Sequence, residues 1–298
     1  MLYYRRKLLL AILEVFRGKL SAIQLQKYLF LITRQQNEKS FHFVPFKYGC
    51  FSFQANQDLS TLSTYGYINI TNNEYSLNDS ARGYFKELRL SDQRSIQNIF
   101  TKFGTLSQDE LIIYIYKNFP FFAINSNIAE KILDHDSILK IEAQRHKKNE
   151  KQLFTIGYEG ISLEEYINKL IVEDIRVLCD VRKNAYSQKY GFSKSQLTKA
   201  CEGVGIKYIH FPELGIDSEK RNSLMKQNDY DLLFLEYEKS TLNSNSKVLE
   251  ELLNLITIHK RIALTCFEKE PNKCHRTRIA KALTKISNND FYLNQIIF

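Results

Sequence analysis

The spacing of apolar positions changes character about halfway along the 298-residue chain. In the first stretch, "YRRKLLLAILEVFRG" has apolar residues at helical spacing and stops at Gly18. A second such stretch, "AIQLQKYLFLITRQQ", follows Ser21, a residue suited to capping it. After the aromatic, turn-containing "FHFVPFKYGCF", the segment "SFQANQDLSTLSTYGYI" predicts a third helix that ends near Gly66. Two alternating runs, "YINIT" and "EYSLN", meet at "NNE" and predict a hairpin. Residues 106–150 read as helical, with "SQDELIIYIYKNF" followed by the charged "SILKIEAQRHKKNEKQ", a solvated linker helix. From 152 the period shortens. "LFTIGYEG", "RVLCDVR", "KYIHFPELG" and "RIALTCFE" read as strands, separated by "SLEEYINKLIVED", "SKSQLTKACEGVG" and the long polar segment 217–259. Strands alternating with helices predict an α/β domain with a mostly parallel sheet. The expected division is therefore a domain over 1–105, a helical linker over 106–150 and an α/β domain over 151–298.

Three helices closed by a two-stranded hairpin is the winged-helix order, so the first domain is expected to be an α+β winged helix. The segment "VPFKYGCFSFQANQDLSTLSTYGYI" also resembles the start of winged-helix domains in bacterial regulatory and toxin–antitoxin proteins, where a KYG-x-[FY]-S turn leads into a helix. That resemblance makes Ser52–Tyr65 the candidate recognition helix. Lys47, Gln54, Asn56 and Gln57 become candidate DNA contacts. Charge points the same way: of a net +9, residues 1–50 hold nine Lys/Arg against two acids. A clustered basic face suits nucleic acid, because neutralised phosphates release counterions. The competing readings are a solvated basic surface and a winged helix that binds only protein.

Hydrophobic residues at 44% and aromatics at 13% suffice for a folded protein. No apolar run is long enough to span a membrane; "LLLAILEVF" is short, follows Arg5, Arg6 and Lys7, and contains Glu14. Five scattered cysteines do not form a disulfide framework. A cytoplasmic protein with no membrane partner is the expectation.

In a parallel sheet, ligands bind outside the carboxyl ends of the strands. The four strand tails supply Tyr158-Glu159, Asp180 with Arg182, His210 with Glu213, and Cys266 with Glu268. Carboxylates so placed suit acid–base work or the activation of water, as in glycosidic cleavage. Asp180, Glu159, Glu268 and His210 are the candidate catalytic groups; an Asp180–Arg182 ion pair and a core His210 are the structural alternatives. Arg182, Lys194, Arg221, Arg276 and Arg278 could hold phosphate. Tyr158, Tyr190 and Phe192 could stack on a base, whereas Tyr208 reads as core. Cys179, Cys50 and Cys201 read as structural.

These motifs, "TIGYEG-x-SLEE", "DVR", "GFSK-x-x-L", "GI-x-YIHFPELG", "C-x-E" and "CHR" in order over roughly 152–283, resemble the domain of unknown function family 488. The resemblance implies a compact α/β domain and brings no reaction with it. The chain departs from the family's pattern at Ala185 and Gln188, where a proline and an arginine are usual, and at Gly215-Ile216, where a Gly-Gly pair is frequent.

The stretch "CFEKEPNKCHR" (266–276) admits three readings. Zinc wants closely spaced cysteine pairs, but Cys266 and Cys274 are eight apart and His275 would point elsewhere on a helix. A Cys274 nucleophile at a helix N-terminus lacks the glycine-rich cradle of thiol phosphatases. The favoured reading has Cys274 and His275 capping a helix while Arg276 binds an anion. No metal is expected, and Mg²⁺ only if the chemistry is that of a nuclease. The expected function is a DNA-directed hydrolase, cleaving an N-glycosidic bond in modified or foreign DNA in a host-defence role. A metal-dependent nuclease and a non-catalytic, nucleotide-sensing regulator are the alternatives.

Overall fold

The computed structural model describes residues 2–78, 83–221 and 226–296. The chain divides into two compact units, Met1–Arg145 and His146–Phe298.

The first unit opens with α1 (Tyr4–Val15), β1 (Lys19–Ser21) and α2 (Ala22–Thr33). Ser21 caps α2 through a reciprocal box with Gln24: its hydroxyl accepts from the Gln24 amide while the Gln24 side chain accepts from the Ser21 amide. A tight hairpin, β2 (Val44–Phe46) and β3 (Gly49–Phe51), precedes α3 (Phe53–Thr64). The strands β4 (Ile68–Thr71) and β5 (Glu74–Leu77) follow, joined by Asn72 and Asn73, both at positive φ, as a two-residue hairpin turn requires. β1 adds to this hairpin, giving an antiparallel sheet of order β1-β5-β4.

Residues 106–145 are not a linker. After α4 (Leu90–Phe103), α5 (Gln108–Asn118) buries Leu111, Ile112, Ile115 and Tyr116 inside the first unit. Asn125 then donates to the Pro45 carbonyl and the Asn127 amide to that of Lys47, fastening the segment to the β2–β3 hairpin. The helices α6 (Ala129–Ile132) and α7 (His135–Glu142) complete the unit. The charged residues after 142 read as a continuing helix in sequence, but α7 ends there, with its apolar stripe.

Part of the clustered positive charge of the first fifty residues is paired with acids further along. Arg5 and Arg6 both pair with the buried Asp58, Lys7 with Glu87 and Lys19 with Glu74. Lys27 is buried and donates to the carbonyls of Tyr48 and Cys50; burial lowers its pKa. Across residues 1–145 there are 18 Lys/Arg against 13 Asp/Glu.

The second unit runs β6 (Gln152–Gly157), α8 (Leu163–Val172), β7 (Val177–Asp180), α9 (Lys194–Glu202), β8 (Lys207–His210), α10 (Gln227–Tyr237), α11 (Ser246–His259), β9 (Arg261–Cys266), α12 (Arg276–Ile286) and β10 (Tyr292–Ile296). All five strands are parallel, in the order β10-β6-β9-β7-β8. Every residue of β7 and β9 is buried, as expected of strands covered on both faces. Ile262 and Leu264 join Leu249, Leu252, Ile279 and Leu283 of α11 and α12 in one core. On the other face, the Tyr166 hydroxyl of α8 donates to Thr265 Oγ1 at 2.7 Å.

Candidate active site

The strand order itself defines a crevice. β7 connects onward to β8 at one edge, while its neighbour β9 connects back across β6 to β10 at the other. The two connections diverge, and a divergence of this kind opens a binding crevice at the carboxyl ends of the strands. A pocket of about 450 Å³ lies there, with Tyr158, Arg182, Lys189, Cys266, Glu268 and His275 in its lining.

Its floor is a closed ionic network. Asp180 is fully buried at the end of β7, and both its oxygens accept from the Arg182 guanidinium, itself 6% exposed. The Arg182 amide donates to Asp180 Oδ1 at 3.1 Å and the Tyr208 hydroxyl to Oδ2 at 2.6 Å. Arg182 Nη1 donates to the Tyr158 hydroxyl at 2.6 Å. Asp180 and Tyr158 thus engage three of the five guanidinium N–H donors, and Tyr208 lies against the same guanidinium. Burial disfavours the charged Arg182, but bonding and attraction to Asp180 outweigh it and raise its pKa. Burial, then the Asp180 carboxylate, raises the pKa of Tyr208. Asp180 is therefore not an available acid–base group: it fixes Arg182, and the ion-pair alternative is the observed one. Phe192, also fully buried, stacks on Tyr158 with ring centroids 4.2 Å apart. It supports that ring from behind instead of meeting a ligand. Tyr208, expected in the core, instead joins this network.

The opposite wall comes from "CFEKEPNKCHR". Cys266 Sγ, Cys274 Sγ and a His275 ring nitrogen lie within 4.8 Å of one another, all buried. Cys266 Sγ is 3.1 Å from Glu268 Oε2 and 3.7 Å from His275 Nδ1. His275 Nε2 is 2.8 Å from the Val181 carbonyl, which only accepts, so the proton sits on Nε2 and the Nδ1 lone pair faces the sulfur. Cys274 is extended (φ −130°, ψ 134°) and α12 begins only at Arg276, so His275 does not turn away along a helix. Neither residue's side chain caps α12. Burial, then a hydrogen bond with Cys266, raises the Cys274 thiol pKa, opposite to the lowering a helix terminus would give. Arg276 is fully buried, and its Nη1 and Nη2 donate to the carbonyls of Glu268 and Lys269. It braces the loop after β9 and is not exposed to phosphate. Gly157 allows that loop to pass: a Cβ there would fall on the Glu268 carbonyl.

The remaining predicted residues scatter. Glu159 is exposed and accepts from the Lys269 amide at 2.9 Å, tying two loops together outside the pocket. Glu213 is exposed after β8, and Tyr190 is half-buried; neither lines the pocket. His210 is half-buried and donates from Nε2 to the Arg182 carbonyl at 2.8 Å, outside the pocket. Arg278 pairs with Asp231 and Glu238. The Arg221 side chain lies outside the described residues. Lys194 and His210 instead line a neighbouring open groove, which shares Lys183, Asn184 and Tyr186 with the pocket. In the first unit, Lys47 and Asn56 line a cavity of about 480 Å³. Gln57 is exposed on α3, and Gln54 donates to Asp58 at 3.4 Å.

Sequence reasoning assigns no role to Lys183, Asn184, Tyr186 or Lys189. All four sit in the loop after β7, where the side chain of Tyr186 is 71% exposed. The available signal was the composition of that loop: lysine, asparagine and tyrosine without an apolar period. The sequence model of one family, the domain of unknown function DUF488, matches residues 162–283, which include α8 through most of α12. No curated protein and no solved structure matches the chain. Among the described residues no helix is long and apolar enough to cross a membrane.

Proposed function

We propose that the second unit is the catalytic module of a DNA-directed hydrolase that cleaves an N-glycosidic bond, with the first unit as its winged-helix DNA-binding module. One observation carries the reading: a pocket of about 450 Å³ sets the fixed cation Arg182 against the carboxylate Glu268, and a lysine-bearing loop with an exposed tyrosine leads into it. Stacking on an exposed aromatic and attraction to lysines are how unpaired nucleotides are held. Arg182, which lines the pocket, attracts a phosphate oxygen. Glu268 orients water and stabilises the positive charge that develops on the sugar as the base departs. The first unit's order of α1, β1, α2, α3, β4 and β5, interrupted between α2 and α3 by the β2–β3 hairpin, together with the sheet β1-β5-β4, supports a winged helix. The exposed face of α3 presents Asn56, Gln57, Ser60 and Thr64 and no cation, so base edges are its targets more than phosphates.

A magnesium nuclease is less well supported, because it wants converging oxygen ligands. Among the described residues, the one converging group of three candidate ligands is Cys266, Cys274 and His275.

The test incubates the full chain with plain and base-modified oligonucleotides, with and without Mg²⁺, followed by alkali. Alkali-labile breaks that fall about 10²- to 10⁴-fold in Glu268→Gln, the usual worth of a positioned carboxylate, support the reading. Direct Mg²⁺-dependent breaks point to the nuclease. Sequence-specific binding without any product points to the regulator, and either outcome refutes the proposal.

A further inference from the structure

We propose that Cys266, Cys274 and His275 form a zinc site, a three-ligand centre whose fourth position faces the pocket. It is independent of the proposed DNA chemistry and stands on four observations.

The first is distance. Zinc binds sulfur at about 2.3 Å and imidazole nitrogen at about 2.0–2.1 Å, so tetrahedral geometry sets sulfur and nitrogen about 3.6 Å apart and two sulfurs about 3.8 Å apart. The observed Cys266 Sγ to His275 Nδ1 distance is 3.7 Å, and all three candidate ligand atoms lie within 4.8 Å of one another. The second is orientation. A metal-binding histidine donates its other ring N–H to a carbonyl or carboxylate, which fixes the tautomer. His275 does so to the Val181 carbonyl at 2.8 Å, which turns Nδ1 toward Cys266 Sγ, 3.7 Å away.

The third observation is charge. Arg276 is fully buried, and it pairs with no carboxylate and leaves Nε without a partner among the described residues. An isolated buried cation is costly. Two zinc-bound thiolates cancel the zinc charge, so Arg276 is offset only by an anion such as hydroxide taken up at the fourth position. The fourth is access. Cys266, His275 and Glu268 line the pocket while Cys274 closes the site from within. Three protein ligands and an open fourth place are the pattern of a zinc ion that takes up water or substrate, in contrast to a closed structural site.

The metal preference follows from the donors. Two thiolates and an imidazole select zinc over magnesium or calcium, which take oxygen.

The test uses the full chain, purified under reducing conditions. Inductively coupled plasma mass spectrometry is expected to find one zinc per chain. Stripping the wild type with a chelator and adding Co²⁺ is expected to give thiolate-to-cobalt charge-transfer absorption and the strong visible bands of tetrahedral cobalt. Cys266→Ser and Cys274→Ser are expected to hold zinc at least about 100-fold more weakly, beyond the 10- to 100-fold that loss of an outer partner costs. Cys201→Ala, in the core away from the pocket, keeps it. Since the serine variants alter buried positions, the cobalt titration of the wild type decides the matter without them. Metal-free wild type that takes up Co²⁺ with no charge-transfer band overturns the proposal. So does a Cys266–Cys274 disulfide in the reduced protein, or zinc retained in both serine variants.

Discussion

Asp180→Asn removes one charge from a buried pair and keeps the side chain's shape. Asp180 is fully buried and accepts from the Arg182 guanidinium and amide and from the Tyr208 hydroxyl, while Arg182 is 6% exposed. Asparagine presents one acceptor oxygen where four donors converge, and turns an amide N–H₂ toward a cation. Breaking a buried pair by removing one partner costs about 3–5 kcal/mol, because the remaining charge is left without compensation. For a unit of this size that corresponds to a fall of about 10 °C in Tm. The chain has no tryptophan and divides into two units, so a single fluorescence transition would not isolate the effect. Hydrogen exchange read by mass spectrometry on β7 and β9 does isolate it, in a urea series. Arg182→Met on the Asp180→Asn background is expected to restore part of the loss, since it deletes the stranded cation. A cost below about 1 kcal/mol, the value of an exposed pair, would refute the argument. Simple addition of the two single effects would refute it equally.

Other outcomes follow from the same contacts. Tyr208 has its pKa raised above 10.0 by burial and by Asp180, so its contribution is complete below that value and is lost as pH rises toward the folded-state pKa. Urea titrations across the alkaline range are expected to show a fall in wild-type stability that Tyr208→Phe flattens; parallel curves would count against it. Gly157→Ala drives a Cβ into the Glu268 carbonyl and is expected to cost about 1–3 kcal/mol, as overpacking does, with loss of pocket function; an unchanged Tm contradicts the close approach. Tyr186→Ala is expected to weaken single-stranded DNA binding by about 1–3 kcal/mol, measured by fluorescence anisotropy, without altering thermal stability; unchanged affinity removes the loop from the binding surface.

The fold was legible wherever local spacing decides structure. Four of the five parallel strands lie on apolar runs that break at Gly or charged residues, and capping boxes at Ser21, Ser107 and Ser162 mark three helix starts. What local spacing missed was set by pairing. β1 is three residues long and exists because β5 accepts it as a neighbour. β10, "YLNQI", has exposed Tyr292 and Leu293 and belongs to the sheet only through β6. The helix after residue 106 carried the right pattern, but whether an amphipathic helix spans a gap or covers a neighbouring core depends on contacts such as Asn125 to Pro45, which a linear pattern does not contain.

The site was harder to read because strand tails look equivalent in sequence and are not equivalent in the sheet. The crevice opens between β7 and β9; from the β6 tail Tyr158 reaches the pocket while Glu159 turns to the Lys269 amide, and Glu213, after the edge strand β8, falls outside it. On β7 itself, cover on both faces buries Asp180 with every other residue, and a buried carboxylate must find a cation, which Arg182 supplies two residues on. The groups that face the pocket beside this network are Arg182 itself, Glu268, Cys266 and His275. The trio in "CFEKEPNKCHR" escaped the spacing rules because a short turn at Pro271–Lys273 and an extended Cys274 fold the stretch back on itself. Eight residues of separation then become a few ångströms. Ligand spacing in sequence is informative only where the intervening backbone is regular, and at this crevice it is not.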